Sequence, residues 1–128
     1  MAQYMILVLK NHKMKKIINY DELMASIRNY DKTFLLLFKS GSEQSECALR
    51  NFKNAANLSS DINMLTANVN EVRDIHEKYH ITSAPAILEF EKEHYKNVIK
   101  GCQDAEYIKN VIDEAIYTAK AKKEGKSP

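Results

Sequence analysis

The chain is short of several residues and patterns that mark particular classes of protein. Its 128 residues include only two cysteines, Cys47 and Cys102, which are far apart and form no CxxC motif. This spacing predicts neither a disulfide framework nor a zinc site, and so few cysteines suit the reducing cytoplasm. Lysines and arginines number 19 against 17 acidic residues. A net charge of +2 gives no basis for binding nucleic acid or a membrane surface.

Long hydrophobic runs are missing as well. The N-terminal run from Met5 to Leu9 is far shorter than the ~20 residues that a membrane-spanning helix needs. It has no basic segment before it and no cleavage site with small residues after it, so we expect no signal peptide. We predict that residues 1–14 are an N-terminal arm or a leader, with Met14 as an alternative start. An extra edge strand is the other interpretation of this segment.

The most informative pattern lies in residues 34–53, FLLLFKSGSEQSECALRNFK. The continuous apolar run Phe34–Phe38 is typical of a strand that is buried on both faces in a parallel sheet. Residues 40–42 predict a short loop that ends in a helix N-cap at Ser42. The following apolar residues have helical spacing and predict one apolar stripe: Leu49, Phe52 and Ala56. A strand, a loop and a helix N-terminus meet where α/β proteins commonly carry out their chemistry.

The rest of the chain predicts alternating strands and helices in one domain. Strands are predicted at Ile17–Ile18, 62–69, 86–90 and 95–99, the last two forming a hairpin. One helix follows an Asp21 cap and buries Leu23, Ile27 and Tyr30. Another helix spans residues 69–79, and the last helix follows an Asp104 cap. The order β-α-β-α-β-α-β-β-α predicts an α/β domain over residues 15–118, with a central mixed sheet flanked by helices. Residues 119–128 are expected to be a basic, flexible tail.

This element order and the central stretch resemble the thioredoxin family. In that family a hydrophobic strand and a short loop lead into a CxxC motif that opens a helix. When Phe38 is matched to the strand's last aromatic residue, the two family cysteines fall at Glu43 and Glu46. Leu49 and Phe52 then occupy the apolar positions three and six residues after the second cysteine. The chain is similar to small bacterial thioredoxin-like proteins that lack the CxxC motif.

A second resemblance lies in the segment SAPAILEF, where Pro85 directly precedes a predicted strand. It implies a cis Ala84–Pro85 peptide bond and a groove in which the backbone of Ala84 pairs with a bound peptide. The resemblance implies these groove residues: Ser42, Glu43, Ser83, Ala84, Pro85, Gly101 and Cys102. The expected partner is a protein or peptide, and no cofactor is implied. We expect a cytoplasmic monomer.

The resemblance does not extend to the reactive groups. Dithiol exchange needs a thiolate and a second thiol, and Glu43 and Glu46 supply neither. Leu37 replaces the family's buried aspartate, and Lys39 stands where thioredoxin has tryptophan. We therefore predict a redox-inactive module that binds peptides, with both glutamates capping the helix and Glu46 the more buried of the two.

The alternative is a monothiol thiol–disulfide oxidoreductase that works through Cys47, with Cys102 as its candidate second residue. The resemblance puts Cys102 on the rim of the same groove, which is either a coincidence or a displaced redox pair. Carboxylates beside Cys47 oppose a thiolate, so an ordinary thiol and a coincidental placement are the favoured interpretation.

One motif suggests a metal site that we do not expect to exist. His76 to His80 spells HEKYH, which matches the zinc-protease pattern H-E-x-x-H. That pattern requires both histidines on one face of a helix. The resemblance puts His80 just past the helix end, where the backbone is often left-handed. No metal site is therefore predicted.

Overall fold

The structure is a computed structural model, and it describes residues 14–59, 62–123 and 125. The predictions made for residues 1–13 lie outside the described residues. Five strands form one sheet in the order β1-β3-β2-β4-β5. Their bounds are β1 (Lys15–Lys16), β2 (Lys32–Phe38), β3 (Asn63–Asn68), β4 (Ala86–Glu91) and β5 (His94–Lys100).

Strand β2 is the centre of this sheet because its side chains are buried on both faces. Successive side chains of a strand point to opposite sides, so Phe34 and Leu36 face one layer and Leu35 and Leu37 face the other. All four are at most 1% exposed. Strand β2 pairs in parallel with β3 and antiparallel with β4. The predicted central strand and mixed sheet are confirmed.

Four helices cover the two faces of the sheet. They are α1 (Tyr20–Ile27), α2 (Glu43–Leu58), α3 (Asp74–Lys78) and α4 (Ala105–Lys123). Helices α1 and α3 pack on the face of Leu35 and Leu37, whereas α2 and α4 pack on the face of Phe34 and Leu36. Within the described ranges, no helix is both long and apolar enough to cross a membrane.

The first strand and helix differ from their predicted positions. Strand β1 is Lys15–Lys16, and Ile17 follows it as a buried core residue whose N–H donates to the Thr66 carbonyl at 2.7 Å. Helix α1 is capped by Asn19 rather than Asp21, since the Asn19 side chain accepts the Glu22 N–H at 2.8 Å. Because α1 ends at Ile27, Tyr30 lies beyond it and is 50% exposed.

Two other helices also differ in length from the prediction. Helix α3 spans only Asp74–Lys78, so the buried Val72 packs from the loop before it. Helix α4 continues through residues 119–123, which the sequence predicts to belong to the basic, flexible tail. The last turn is helical because Ala121 is buried and because Lys122 and Lys123 form ion pairs with carboxylates at the end of the sheet.

Two ion pairs hold this last turn of α4, and they should make stability depend on pH. Lys122 donates to Glu91 at 3.0 Å and lowers the pKa of that carboxyl, and Lys123 does the same for Asp31. A lowered folded pKa stabilises the protein above the unfolded values of about 3.9–4.3, and this contribution is lost as the pH falls through the folded pKa.

We therefore expect the double variant Asp31→Asn/Glu91→Gln to lose stability at pH 7. Each pair is partly exposed, so the loss should be about 0.2–1 kcal/mol per pair. Urea unfolding should show this deficit at pH 7 and little of it at about pH 3. An equal deficit at both pH values would show that the ion pairs are not its source.

Candidate functional site

The predicted groove residues lie on loops, and at the first residue of α2, that meet at one end of the sheet. Strands β2 and β3 are parallel and therefore end at the same edge. The antiparallel strand β4 begins at that edge, where Ala86 pairs with Leu37, and β5 ends there at Lys100. The Gly101 N–H donates to the Pro85 carbonyl at 3.0 Å, which ties the last two loops together.

The loop between β2 and α2 is fixed by two serine hydroxyls. Ser42 is the predicted N-cap of α2, and its Oγ accepts the Ser45 N–H at 3.3 Å. The Oγ of the fully buried Ser45 accepts the Lys39 N–H at 2.9 Å. These bonds satisfy donors that the turn would otherwise leave unpaired, so the backbone enters the helix in one defined path.

A second polar network joins this loop to the loop after β3. Asn68 accepts the Ser40 N–H at 3.3 Å and donates to the Ser40 hydroxyl at 3.1 Å. Asn70 donates to the same hydroxyl at 2.9 Å and to the Ser40 carbonyl at 3.2 Å. The ends of the two central strands are therefore held together as one rigid platform.

The segment before β4 offers free backbone groups at this platform. The peptide bond between Ala84 and Pro85 is cis, the isomer that the family resemblance implies. Pro85 is buried, Ala84 is half-buried and Ser83 is exposed. The backbone N–H and C=O groups of Ser83 and Ala84 make no hydrogen bond to any residue that the structure describes. An approaching ligand could pair with these groups without breaking a bond of the fold.

The two glutamates at the start of α2 are both exposed, so the expected burial of Glu46 is wrong. The inward side of the first turns is occupied by Ser45 and Ala48, which are at most 1% exposed. Glu43 and Glu46 point away from the core. Both lie in the first turn, where carboxylates interact favourably with the helix dipole.

The two cysteines form a disulfide, which corrects the expectation of two ordinary thiols placed by coincidence. Cys47 and Cys102 are 55 residues apart in sequence, and their Cα atoms lie 5.8 Å apart. The fold packs the second turn of α2 against the loop that follows β5, and this contact brings the sulfurs together. The cysteine content therefore no longer argues for a reducing compartment. A cytoplasmic location stays a prediction.

Asn51 is a residue of the site that the sequence analysis missed. Its side-chain N–H₂ lies 3.4 Å from the sulfur of Cys102 and 3.8 Å from that of Cys47. The same group donates to the Gln103 carbonyl at 2.9 Å. One turn after Cys47 on α2, Asn51 thus holds the loop of Cys102 against the helix. Only its i, i+4 spacing from Cys47 could have indicated this role.

The HEKYH motif does not form the helical histidine pair that a zinc protease needs. His76 lies in α3, whereas His80 lies beyond the helix with a φ of 57°. The predicted left-handed position of His80 is confirmed. Among the described residues, no group of three or more His, Cys, Asp or Glu side chains is arranged to hold a metal ion.

Solved structures with a similar backbone include several thioredoxins. A mutant thioredoxin from Halobacterium salinarum NRC-1 matches with a TM-score of 0.74 and 14% identity, over 80% of this chain and 90% of that one. Thioredoxin from Plasmodium falciparum matches with a TM-score of 0.72 and 17% identity, over 79% and 98%. Thioredoxin from Trypanosoma brucei brucei matches with a TM-score of 0.75 and 7% identity, over 84% and 94%.

These likenesses define the fold of the chain. No protein-family model and no curated protein matches the sequence. The likeness of the backbone to solved thioredoxins shows that the chain has a thioredoxin fold. It has a five-stranded mixed sheet flanked by helices, as the sequence predicts.

Proposed function

We propose that this thioredoxin-fold protein binds an extended peptide segment of a partner protein and carries out no dithiol chemistry at the start of α2. The observation that supports this function best is the free backbone of Ser83 and Ala84 at the start of β4. The partner segment would pair with these groups as an added strand, a common mode of peptide recognition.

The chemistry of the groove favours main-chain recognition. Ser83 and Ala84 have small side chains, so a peptide backbone can approach their N–H and C=O groups closely. Each hydrogen bond formed in this way contributes about 0.5–1.5 kcal/mol net. The platform of Ser40, Asn68 and Asn70 is already hydrogen-bonded, and a prearranged site loses little conformational entropy on binding.

The start of α2 supports a binding role over an enzymatic one. Exposed carboxylates at Glu43 and Glu46 cannot form or exchange a disulfide, because that reaction requires thiolates. Ser42 is the N-cap, and the two carboxylates in the first turn interact favourably with the helix dipole.

Filling the groove should weaken peptide binding. We expect Ala84→Trp to weaken binding of peptides selected on an immobilised array of 12-residue peptides by at least about tenfold, because the indole covers the free backbone. The measurement is fluorescence anisotropy with the tightest array peptide. Ala119→Trp is the matched control, since Ala119 is also half-buried and lines an open cavity at the other end of the sheet.

The control variant should bind like the wild type. Two results would contradict the proposal: retention of wild-type affinity by a folded Ala84→Trp variant, and equal weakening in Ala119→Trp. Circular dichroism of each variant establishes that the fold is intact.

The disulfide supports a second candidate function, thiol–disulfide exchange through Cys47 and Cys102. The thiolate of a reducing dithiol would attack one of the two sulfurs, forming a mixed disulfide and releasing the other sulfur as a thiolate. The second thiolate of the donor would then attack the mixed disulfide. This step releases the reduced cysteine and oxidises the donor to a disulfide, so the two electrons come from the donor dithiol. Under this alternative the wild type reduces insulin disulfides, and Cys47→Ser does not.

A further inference from the structure

A cavity of about 400 Å³ flanks the free backbone segment on the side of α3. It lies where the parallel strands β2 and β3 end, and residues from both following loops line it. Its polar lining residues are Lys39, Asn70, Arg73, His76, Thr82 and Ser83. The cavity and the proposed peptide groove share Ser83 and Ala84, so a ligand in the groove borders the cavity.

The lining carries positive charge and no negative charge. Lys39 and Arg73 are exposed, and neither forms an ion pair with any carboxylate in the part of the chain that the structure describes. The acidic neighbours of Arg73 in sequence are engaged elsewhere. Asp74 accepts the Tyr20 N–H at 3.0 Å, and Glu71 pairs with Lys16 at 3.1 Å. The cations of the cavity are therefore not neutralised by the fold.

The imidazole of His76 also lines the cavity. Its Nδ1 atom is buried and has no hydrogen-bond partner among the described residues. A buried polar atom without a partner costs stability, and such atoms are uncommon in folded proteins.

We propose that the cavity binds an anionic side chain, a carboxylate or a phosphate ester, of the peptide held at Ser83 and Ala84. This inference rests on the proposed function. The guanidinium of Arg73 and the ammonium of Lys39 donate strongly to such oxygens, and the hydroxyls of Thr82 and Ser83 supply further donors. Alternate side chains of an extended peptide point to the same side. The site therefore selects partner segments that carry an acidic residue near the point of backbone pairing.

The test uses fluorescent peptides that differ only at their central residue. The starting sequence is the tightest binder from the peptide array, and the central residue is glutamate, phosphoserine, glutamine or lysine. We expect the glutamate or phosphoserine peptide to bind about tenfold more tightly than the glutamine peptide, the lysine peptide to bind most weakly, and the preference to shrink with added salt. The tighter of the two acidic peptides identifies the carboxylate or the phosphate as the preferred group.

Charge-removing variants locate the preference. Lys39→Gln/Arg73→Gln should bind the acidic peptides as weakly as the glutamine peptide, while its affinity for the glutamine peptide stays unchanged. The matched control is Lys53→Gln/Lys120→Gln, which removes two exposed lysines that are outside the cavity lining. This control should keep the full preference.

The outcomes separate this inference from the proposed function. Equal affinity for the glutamate, phosphoserine and glutamine peptides overturns the inference and leaves the groove intact. If no peptide binds but inorganic phosphate shifts the NMR signals of His76 and Arg73, the proposed peptide binding is wrong, and the cavity binds an anion that is not part of a peptide. If phosphate also fails to shift them, both are wrong.

Discussion

Replacing Cys102 by serine is expected to lower the free energy of unfolding of the oxidised protein by about 4 kcal/mol. The disulfide closes a long loop, since Cys47 and Cys102 are 55 residues apart, and this closure restricts the unfolded chain. The chain-entropy relation gives about 4 kcal/mol for a loop of this length. Single domains are stable by about 5–15 kcal/mol, so the loss would be a large part of the total. Urea unfolding under non-reducing conditions measures it.

The control for this prediction is chemical reduction of the wild type. Cys47→Ser, Cys102→Ser and the reduced wild type should all unfold at similar urea concentrations, because each lacks the same bond. Asn51→Ala with the disulfide intact should cost less, since it removes only side-chain hydrogen bonds of about 0.5–1.5 kcal/mol each. Identical unfolding of Cys102→Ser and the oxidised wild type would contradict the expected stabilisation by this disulfide.

Installing cysteines at the start of α2 is expected to create weak reductase activity that the wild type lacks. The variant Glu43→Cys/Glu46→Cys puts two thiols three residues apart in the first turn of the helix. Unpaired N–H groups at that end favour a thiolate and lower the pKa of a cysteine. The assay is turnover of insulin disulfides with a dithiol reductant, in a background with Cys47→Ser and Cys102→Ser so that only the new pair can react.

The same assay on the unmodified chain separates the two candidate functions. The proposed binding role predicts that wild-type protein gives no turnover above the reductant alone. Turnover that disappears in Cys47→Ser would instead support exchange through the native disulfide. The serine variant Glu43→Ser/Glu46→Ser is the control for the engineered pair, since it removes the same carboxylates without adding thiols.

Local sequence patterns were sufficient to predict the architecture. The run Phe34–Phe38 predicts a doubly buried strand because no exposed strand can hold five consecutive apolar side chains at low cost, and it is the central strand. The N-cap at Ser42 and the inward position of Phe52 follow from short-range helix chemistry. These features depend on residues within a few positions of each other.

Features that depend on distant residues could not be predicted. The pairing of Cys47 with Cys102 results from helix packing across 55 residues. The prediction that Glu46 is buried was wrong because α2 is rotated about its axis so that Ser45 and Ala48 face the core. The spacing of apolar residues in the sequence is compatible with this rotation and with the one that would bury Glu46. The last turn of α4 was assigned to a tail because its partners, Glu91 among them, lie on another element.

The basic cavity was missed for a related reason. Lys39 follows one central strand and Arg73 follows the other, 34 residues later, so no local motif connects them. The sequence offered one indication of this cavity, which is that both residues follow strands predicted to lie in the same sheet. Because β2 and β3 are parallel, residues just after both strands are brought to the same place.

Binding of an extended peptide to the free backbone of Ser83 and Ala84 can be observed directly by NMR. Wild-type protein labelled with ¹⁵N would be titrated with the tightest peptide from the array. We expect the largest shifts at the amides of Ser83, Ala84 and Gly101, with contacts between the Ala84 amide and the peptide backbone. Shifts confined to the opposite end of the sheet, around Asn63 and Ala119, would contradict it.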